Sequence, residues 1–231
     1  HGTLENQAFT GNQEAYNTAV GYAAGNDITT GTENVLIGGL TGDALTTGVE
    51  NTAIGHQALS VAQTSHANVA IGHQSLALQS ADGYTFNTAV GYNSGQQVTS
   101  GSQQVMIGAY AGDALTTGAQ NVAIGYQALS AEDTGGGAVA IGYKALEDQN
   151  YNGTSYNVAV GYDAGKNVTT GIYNTIIGGL AGDALTSGNN NIAIGYSTLG
   201  AETLGDRSVA IGNFALQVQN NTSNDDIYNT A

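Results

Sequence analysis

Twelve variants of one five-residue phrase, Asn-(Val/Thr)-Ala-(Ile/Val)-Gly, run through this chain at nearly constant spacing, as in Asn17-Thr18-Ala19-Val20-Gly21 and Asn121-Val122-Ala123-Ile124-Gly125. The glycines stand at 21, 38, 55, 72, 91, 108, 125, 142, 161, 178, 195 and 212, in steps of 17 residues broken by two of 19. A period this short is one coil of a solenoid, which grows by stacking and needs no central globular core. The expected fold is therefore all-β: a parallel β-solenoid of about 12 coils, each of 17–19 residues.

With the Asn as position 1, position 2 is mostly Val or Thr and position 4 is Ile or Val in every coil. Apolar residues two apart signal a strand with both side chains on one face. The glycine at position 5 marks a kink or a positive φ. Further along, the coils divide into two types. In one, position 9 is Gly and position 12 is apolar, as in Gly25 with Ile28 or Gly112 with Leu115; in the other, position 9 is Leu, as in Leu59 and Leu129. Each coil thus has a second apolar anchor, which suggests two short strands facing each other across a thin core. The coil types alternate in pairs and build a repeat of 70 residues. The blocks are 17–86, 87–156 and 157–228, one solenoid domain over 17–231 after a lead-in or partial coil over 1–16. Asn229-Thr230-Ala231 starts a further coil, so a fragment of a longer fibre is expected. The recurring Asn should form a column in which amides bond from coil to coil.

Position 3 faces away from positions 2 and 4, so alternation makes it an outer column. It carries no charge: Ala19, Leu36, Ala53, Ala70, Ala89, Met106, Ala123, Ala140, Ala159, Ile176, Ala193 and Ala210. An uncharged outer column suggests lateral packing against identical chains, and these twelve residues are the expected trimer face.

The phrase, with its Gly-rich turns, resembles the head repeats of trimeric autotransporter adhesins. Its variants Asn-Thr-Ala-Val-Gly-Tyr and Asn-Thr-Ala-Ile-Gly, with Thr-Thr-Gly turns, are similar to repeats of bacteriophage tail-fibre and tail-spike proteins. The resemblance covers residues 17–231. It implies a left-handed parallel β-roll and a parallel homotrimer. The adhesin pattern has a shorter coil and often Ser after the Asn, whereas this coil is 17 residues with Val, Thr or Ile there. The coil length, the Tyr after the Gly and the scarcity of Lys favour a phage-type or environmental fibre.

The net charge is -15, with Lys144, Lys166 and Arg207 the only strong bases, so nucleic acid and anionic membrane surfaces are poor partners. No apolar run approaches a membrane span. Cysteine is absent, which removes disulfides and thiolate metal sites. His56 and His73 share position 6 in adjacent coils, but a column of flat side chains over the turn explains them better than a metal. Asp43, Asp113 and Asp183 recur in Gly-Asp-Ala-Leu without an Asp-rich loop, and an Asp bonding its own turn backbone is favoured over calcium. Neither cofactor nor metal is expected. No Ser/His/Asp constellation or phosphate loop stands out, the acids Glu132, Asp133, Glu147, Asp148 and Glu202 read as loop residues, and the apolar hexad of acyltransferase helices is not sustained. An enzyme is therefore not expected.

Tyr84, Phe86, Tyr151 and Tyr156 cluster around the longer fourth-coil turns and are the candidate partner contacts, since aromatic rings stack on sugars or bury into proteins. The expected function is a non-enzymatic fibre segment for attachment to a host cell or surface, in a virion tail fibre or at the cell surface. Its partner would be a surface glycan or protein receptor. An adhesin head and a rigid spacer without its own ligand are the alternatives.

Overall fold

The computed structural model of the protein describes residues 2–8, 14–221 and 228–231. Among them there is no helix, and the chain forms a parallel β-solenoid of about 11 turns. It divides into two compact units, residues 1–117 and 118–231.

In the first unit six three-residue strands stack as rungs: β1 (Thr18–Val20), β2 (Val35–Ile37), β3 (Thr52–Ile54), β5 (Val69–Ile71), β7 (Thr88–Val90) and β8 (Val105–Ile107). The two-residue strands β4 (Ser65–His66) and β6 (Gly83–Tyr84) pair beside them. In the second unit the rungs are β9 (Val122–Ile124), β10 (Val139–Ile141), β11 (Val158–Val160), β12 (Thr175–Ile177), β13 (Ile192–Ile194) and β14 (Val209–Ile211). Within each unit neighbouring rungs pair parallel and in register, so Leu36 faces Ala53 and Ile176 faces Ala193. Beyond the last rung Thr230 bridges to Val209.

Each rung is positions 2–4 of the phrase, and the Asn at position 1 also explains how most coils close, the exceptions being the coils that start at Asn68, Gln104, Ala138 and Ser208. The Asn side chain donates to a carbonyl 14 residues ahead, as Asn34 Nδ2 does to Gly48 at 2.9 Å and Asn157 Nδ2 to Gly171 at 2.7 Å. Its Oδ1 accepts the backbone N–H at position 1 of the next coil, as Asn34 Oδ1 does from Asn51 at 3.0 Å and Asn174 Oδ1 from Asn191 at 2.9 Å. These amides are buried, so each bond also removes a desolvation cost. The column of amides expected from the sequence is present, and it closes coils as well as linking them. The position 5 glycines have φ of 127 to 144°, and a Cβ at Gly21, Gly55 or Gly161 would collide with the carbonyl of the next glycine in the column. No other residue fits there.

The position 3 column is inside the coil. Leu36, Ala53, Ala70, Ala89, Met106, Ala123, Ala140, Ala159, Ile176, Ala193 and Ala210 are fully buried within the chain, and Ala19 on the first rung is half-buried. The expectation that these twelve form a trimer face is corrected: side chains already covered by their own coil have no surface to offer a partner. Alternation had the right parity and the wrong side. The reason is volume. The interior must also hold the position 9 or 12 anchor, and Leu59, Leu76, Leu129, Leu146 and Leu199 fill it opposite Ala. Where position 9 is Gly, the larger Leu36, Met106 or Ile176 takes the space. A Cβ on Gly25 would lie 2.7 Å from Leu36 Cδ1, and one on Gly95 would lie 2.6 Å from Met106 Cε. Each large position 3 residue is thus matched to a small position 9 residue, as close packing requires.

The second strand expected for each coil forms, among the described residues, only as the short β4–β6 pair and a single bridge between Gly136 and Thr154. The far side of the coil is a run of turns whose position 9 is left-handed in both coil types, with φ of 58° at Gly25 and 52° at Leu59. Leucine there carries a strain of about 1–3 kcal/mol. Burying its side chain returns about 1.5–3 kcal/mol.

Candidate functional site

With position 3 inside, positions 2 and 4 point outward. They form two parallel columns of Val, Thr and Ile on the open face of the rungs. Most are half-buried, while Ile37, Ile107 and Ile177 are 37%, 38% and 37% exposed. Among the described residues this apolar face stays partly open.

Beside it runs an aromatic ladder at position 6. His56, His73 and Tyr92 stack at centroid distances of 5.5 and 5.1 Å with interplanar angles of 17° and 9°. Tyr126, Tyr143 and Tyr162 stack at 5.5 and 5.0 Å, nearly parallel. The spacing follows from the strands, which are about 4.8 Å apart in any sheet. His56 and His73 are therefore two rungs of a ring stack, as the sequence favoured. Among the described residues no group of three or more His, Asp or Glu is placed to hold a metal ion.

The ladder is interrupted in the second coil of every block, and again at Asn213 in the last coil of the third. Gly39, Ala109 and Gly179 stand at position 6 in the second coils. In the second block Tyr110 follows the small residue and packs edge-on against Tyr92 at 5.4 Å. In the first and third blocks the following residues are Leu40 and Leu180, both half-buried.

The candidate contacts at the longer turns separate into three places. Tyr84 and Phe86 stack at 5.4 Å, and His66 meets Tyr84 edge-on at 5.0 Å; Tyr84 and Phe86 are about half exposed. Tyr156 lies in the other unit, stacked on Tyr173 at 5.5 Å. Tyr151 is half-buried, and its backbone N–H donates to Glu132 Oε2 at 3.3 Å. The structure makes a three-ring cluster of His66, Tyr84 and Phe86, a pair of Tyr156 and Tyr173, and a backbone anchor of Tyr151.

Two acids read from the sequence as loop residues are buried. Glu132 Oε1 accepts from Gly135 N–H at 2.8 Å, and its Oε2 accepts from Gln149 Nε2 at 3.0 Å. Burial pushes its carboxyl up despite those bonds. Glu202 repeats the arrangement with Gly205 and Gln219; burial acts upward there too, but the bonds from Gln219, Gly205 and Asn221 bring it below the usual range. The signal that could have found them is the paired change between blocks, Ala62 with Ser65 against Glu132 with Gly135 and Glu202 with Gly205.

Asp43, Asp113 and Asp183 each bond their own backbone, as the sequence suggested, and each keeps one buried carboxylate oxygen without a partner. Burial raises all three, Asp113 to about 6. They lie on the turn side, apart from the strand columns. No known protein family, no curated protein and no solved structure matches this chain.

Proposed function

We propose that the chain is a non-enzymatic segment of an attachment fibre, a left-handed roll assembled as a parallel homotrimer, used at a host cell or other surface. The carrying observation is the uncovered apolar face of positions 2 and 4, on which Val20, Ile37, Ile107, Ile177 and Ile211 are each more than a third exposed. A β-branched face repeated on every rung meets an identical copy with matching spacing, which a symmetric assembly needs. It replaces the alanine column as the contact surface. The acidic, amide-stapled coils supply a stiff and soluble carrier, and three chains bearing repeated blocks would raise weak contacts to useful avidity. The phage-type assignment and the location on a virion or cell surface rest on the resemblance of the repeat.

Light scattering on the purified chain tests this reading. Three times the chain mass of 23.3 kDa is expected. The double substitution Ile37→Lys/Ile177→Lys, which adds charge to the face without touching the core, should give a monomer with the same circular dichroism. A monomeric wild type at micromolar concentration would overturn the proposal. The rigid-spacer alternative draws support from the Asn staple, which recurs with the same chemistry in eight coils. Binding to cells that is lost in Tyr84→Ala/Phe86→Ala at unchanged melting temperature would set the spacer aside.

A further inference from the structure

We infer that the two flanks of the apolar face meet rung for rung between copies of this chain, Tyr16, Phe86 and Tyr156 of one copy packing against Tyr22, Tyr92 and Tyr162 of the next. This pairing rests on the parallel homotrimer proposed above and names the side chains that join its copies.

The face is four columns wide. The alternation that sends positions 2 and 4 outward begins before the rung: Tyr156 is exposed, Asn157 buried, Val158 half-buried and Ala159 buried. One flank is therefore the residue just before position 1, which has a left-handed φ, 61° at Glu33 and 51° at Tyr156. The other flank is position 6. Over the twelve rungs these four columns hold only two of the chain's 18 acidic residues, Glu33 and Glu50, and one strong base, Arg207. In a chain of net charge -15, a strip nearly free of charge is where an identical copy can approach without like-charge repulsion.

Symmetry decides what each flank meets. A threefold axis joins unlike patches, so one flank of a copy lies against the opposite flank of its neighbour. Rotation without translation keeps each rung level with the same rung of the next copy. Six residues of extended chain put the flanks about 20 Å apart. A triangle of that side has its centre about 6 Å from each side, close to half of the roughly 10 Å spacing of packed sheets. The flanks therefore touch at the corners when the Val and Ile columns pack around the axis.

The side chains on each rung suit this meeting. At the rung that starts each 70-residue block both flanks are aromatic: Tyr16 with Tyr22, Phe86 with Tyr92, Tyr156 with Tyr162. These six rings are 47 to 68% exposed. Four are already held by a ring of their own column, Phe86 by Tyr84, Tyr92 by His73, Tyr156 by Tyr173 and Tyr162 by Tyr143. Rings fixed in this way lose little freedom on contact, and aromatic pairs add to the gain from buried area. Glu50 falls level with His56, an acceptor across from a ring with an N–H to donate. No rung sets two acids or two strong bases on opposite flanks.

The chain has no cysteine, so disulfide trapping reports only introduced thiols. In Tyr156→Cys/Tyr162→Cys the two thiols of one chain stand on opposite flanks, and a disulfide needs Cα atoms within about 7 Å. Mild oxidation of the full chain should give covalent trimers on a non-reducing gel, with a cross-linked fraction at least tenfold smaller in either single variant. Moving one thiol two rungs away, in Tyr156→Cys/Tyr196→Cys, should abolish the cross-link. Every substituted side chain lies outside the core, so wild-type circular dichroism is expected throughout. As an independent readout, Glu50→Lys should raise the trimer dissociation midpoint at least fivefold in concentration, and adding His56→Glu should restore it. Residues this far apart in one chain act additively unless they meet between chains. Trimers of the paired variant that stay uncross-linked would overturn the flank pairing and leave the trimer standing. Covalent dimers from a single variant would overturn it as well, since they set a flank against itself. A monomeric wild type by light scattering would remove both the pairing and the trimer.

Discussion

At Glu132 and at Ala62, seventy residues apart, the chain turns the same corner with different chemistry. In the second block Glu132 gathers Gly135 N–H, Tyr151 N–H and Gln149 Nε2 onto one buried carboxylate, and Gln149 Oε1 accepts from Asn157. In the first block Ser65 takes the space, its Oγ donating to the Ala81 carbonyl. Gln79 still accepts from Asn87 at 2.9 Å, but its Nε2 is buried without a partner. The exchange has to be paired, because a Cβ at Gly135 would lie 2.5 Å from Glu132 Oε1. The coil closure is thus constant while the filling of the corner varies. One filling gathers three donors on a buried carboxyl group, and the other does without it and leaves one amide orphaned.

The comparison breaks most sharply at Glu132→Ala. Several buried donors would lose their acceptor together, at a cost of about 3–5 kcal/mol, read by denaturant unfolding. An unchanged midpoint would mean the carboxylate is incidental. Next comes Gln149→Leu, expected to cost about 2–3 kcal/mol because it removes one buried donor to Glu132 and the acceptor of Asn157 together; the matching Gln79→Leu removes an amide that is half unpaired already and should cost less than about 1 kcal/mol. Transplanting the corner sharpens the point further. Ala62→Glu alone should destabilise by about 1–3 kcal/mol through overpacking against Ser65. Ser65→Gly in the same chain should recover most of that loss, a coupling visible in a double-mutant cycle.

The smallest effect is one of pH and lies outside both corners. Asp113 binds its proton more tightly folded, to about 6, than unfolded, near 3.8. Its contribution to stability is therefore fully present below pH 3.8 and is lost as pH rises through 6. The rise in melting temperature between pH 7 and pH 5 should be smaller in Asp113→Asn than in wild type. Equal slopes would show that this carboxylate titrates as an exposed one.

Much of this scaffold could be read from the residues. The glycine column, the Asn ladder, the two coil types and the anchors at Leu59, Leu129, Ile28 and Leu115 all appeared where the repeat put them, because each answers to a local demand: a dihedral, an amide partner or an apolar step. The buried acids were missed because Glu132 and Glu202 sit in polar turn sequence, and polarity in a turn ordinarily means solvent. The aromatic ladder was legible as a column.

By itself, the sequence determined the period, the in-register stacking and which side chains share a face, since all three follow from chain geometry and recurrence. Only the tertiary structure decided which face is inside. Two apolar columns alternate along each rung, and parity cannot choose between them. The choice is made by volume: the coil closes too tightly to hold Val and Ile beside its leucine anchors, so Ala53 and Ala70 turn inward and the β-branched residues are left on the surface.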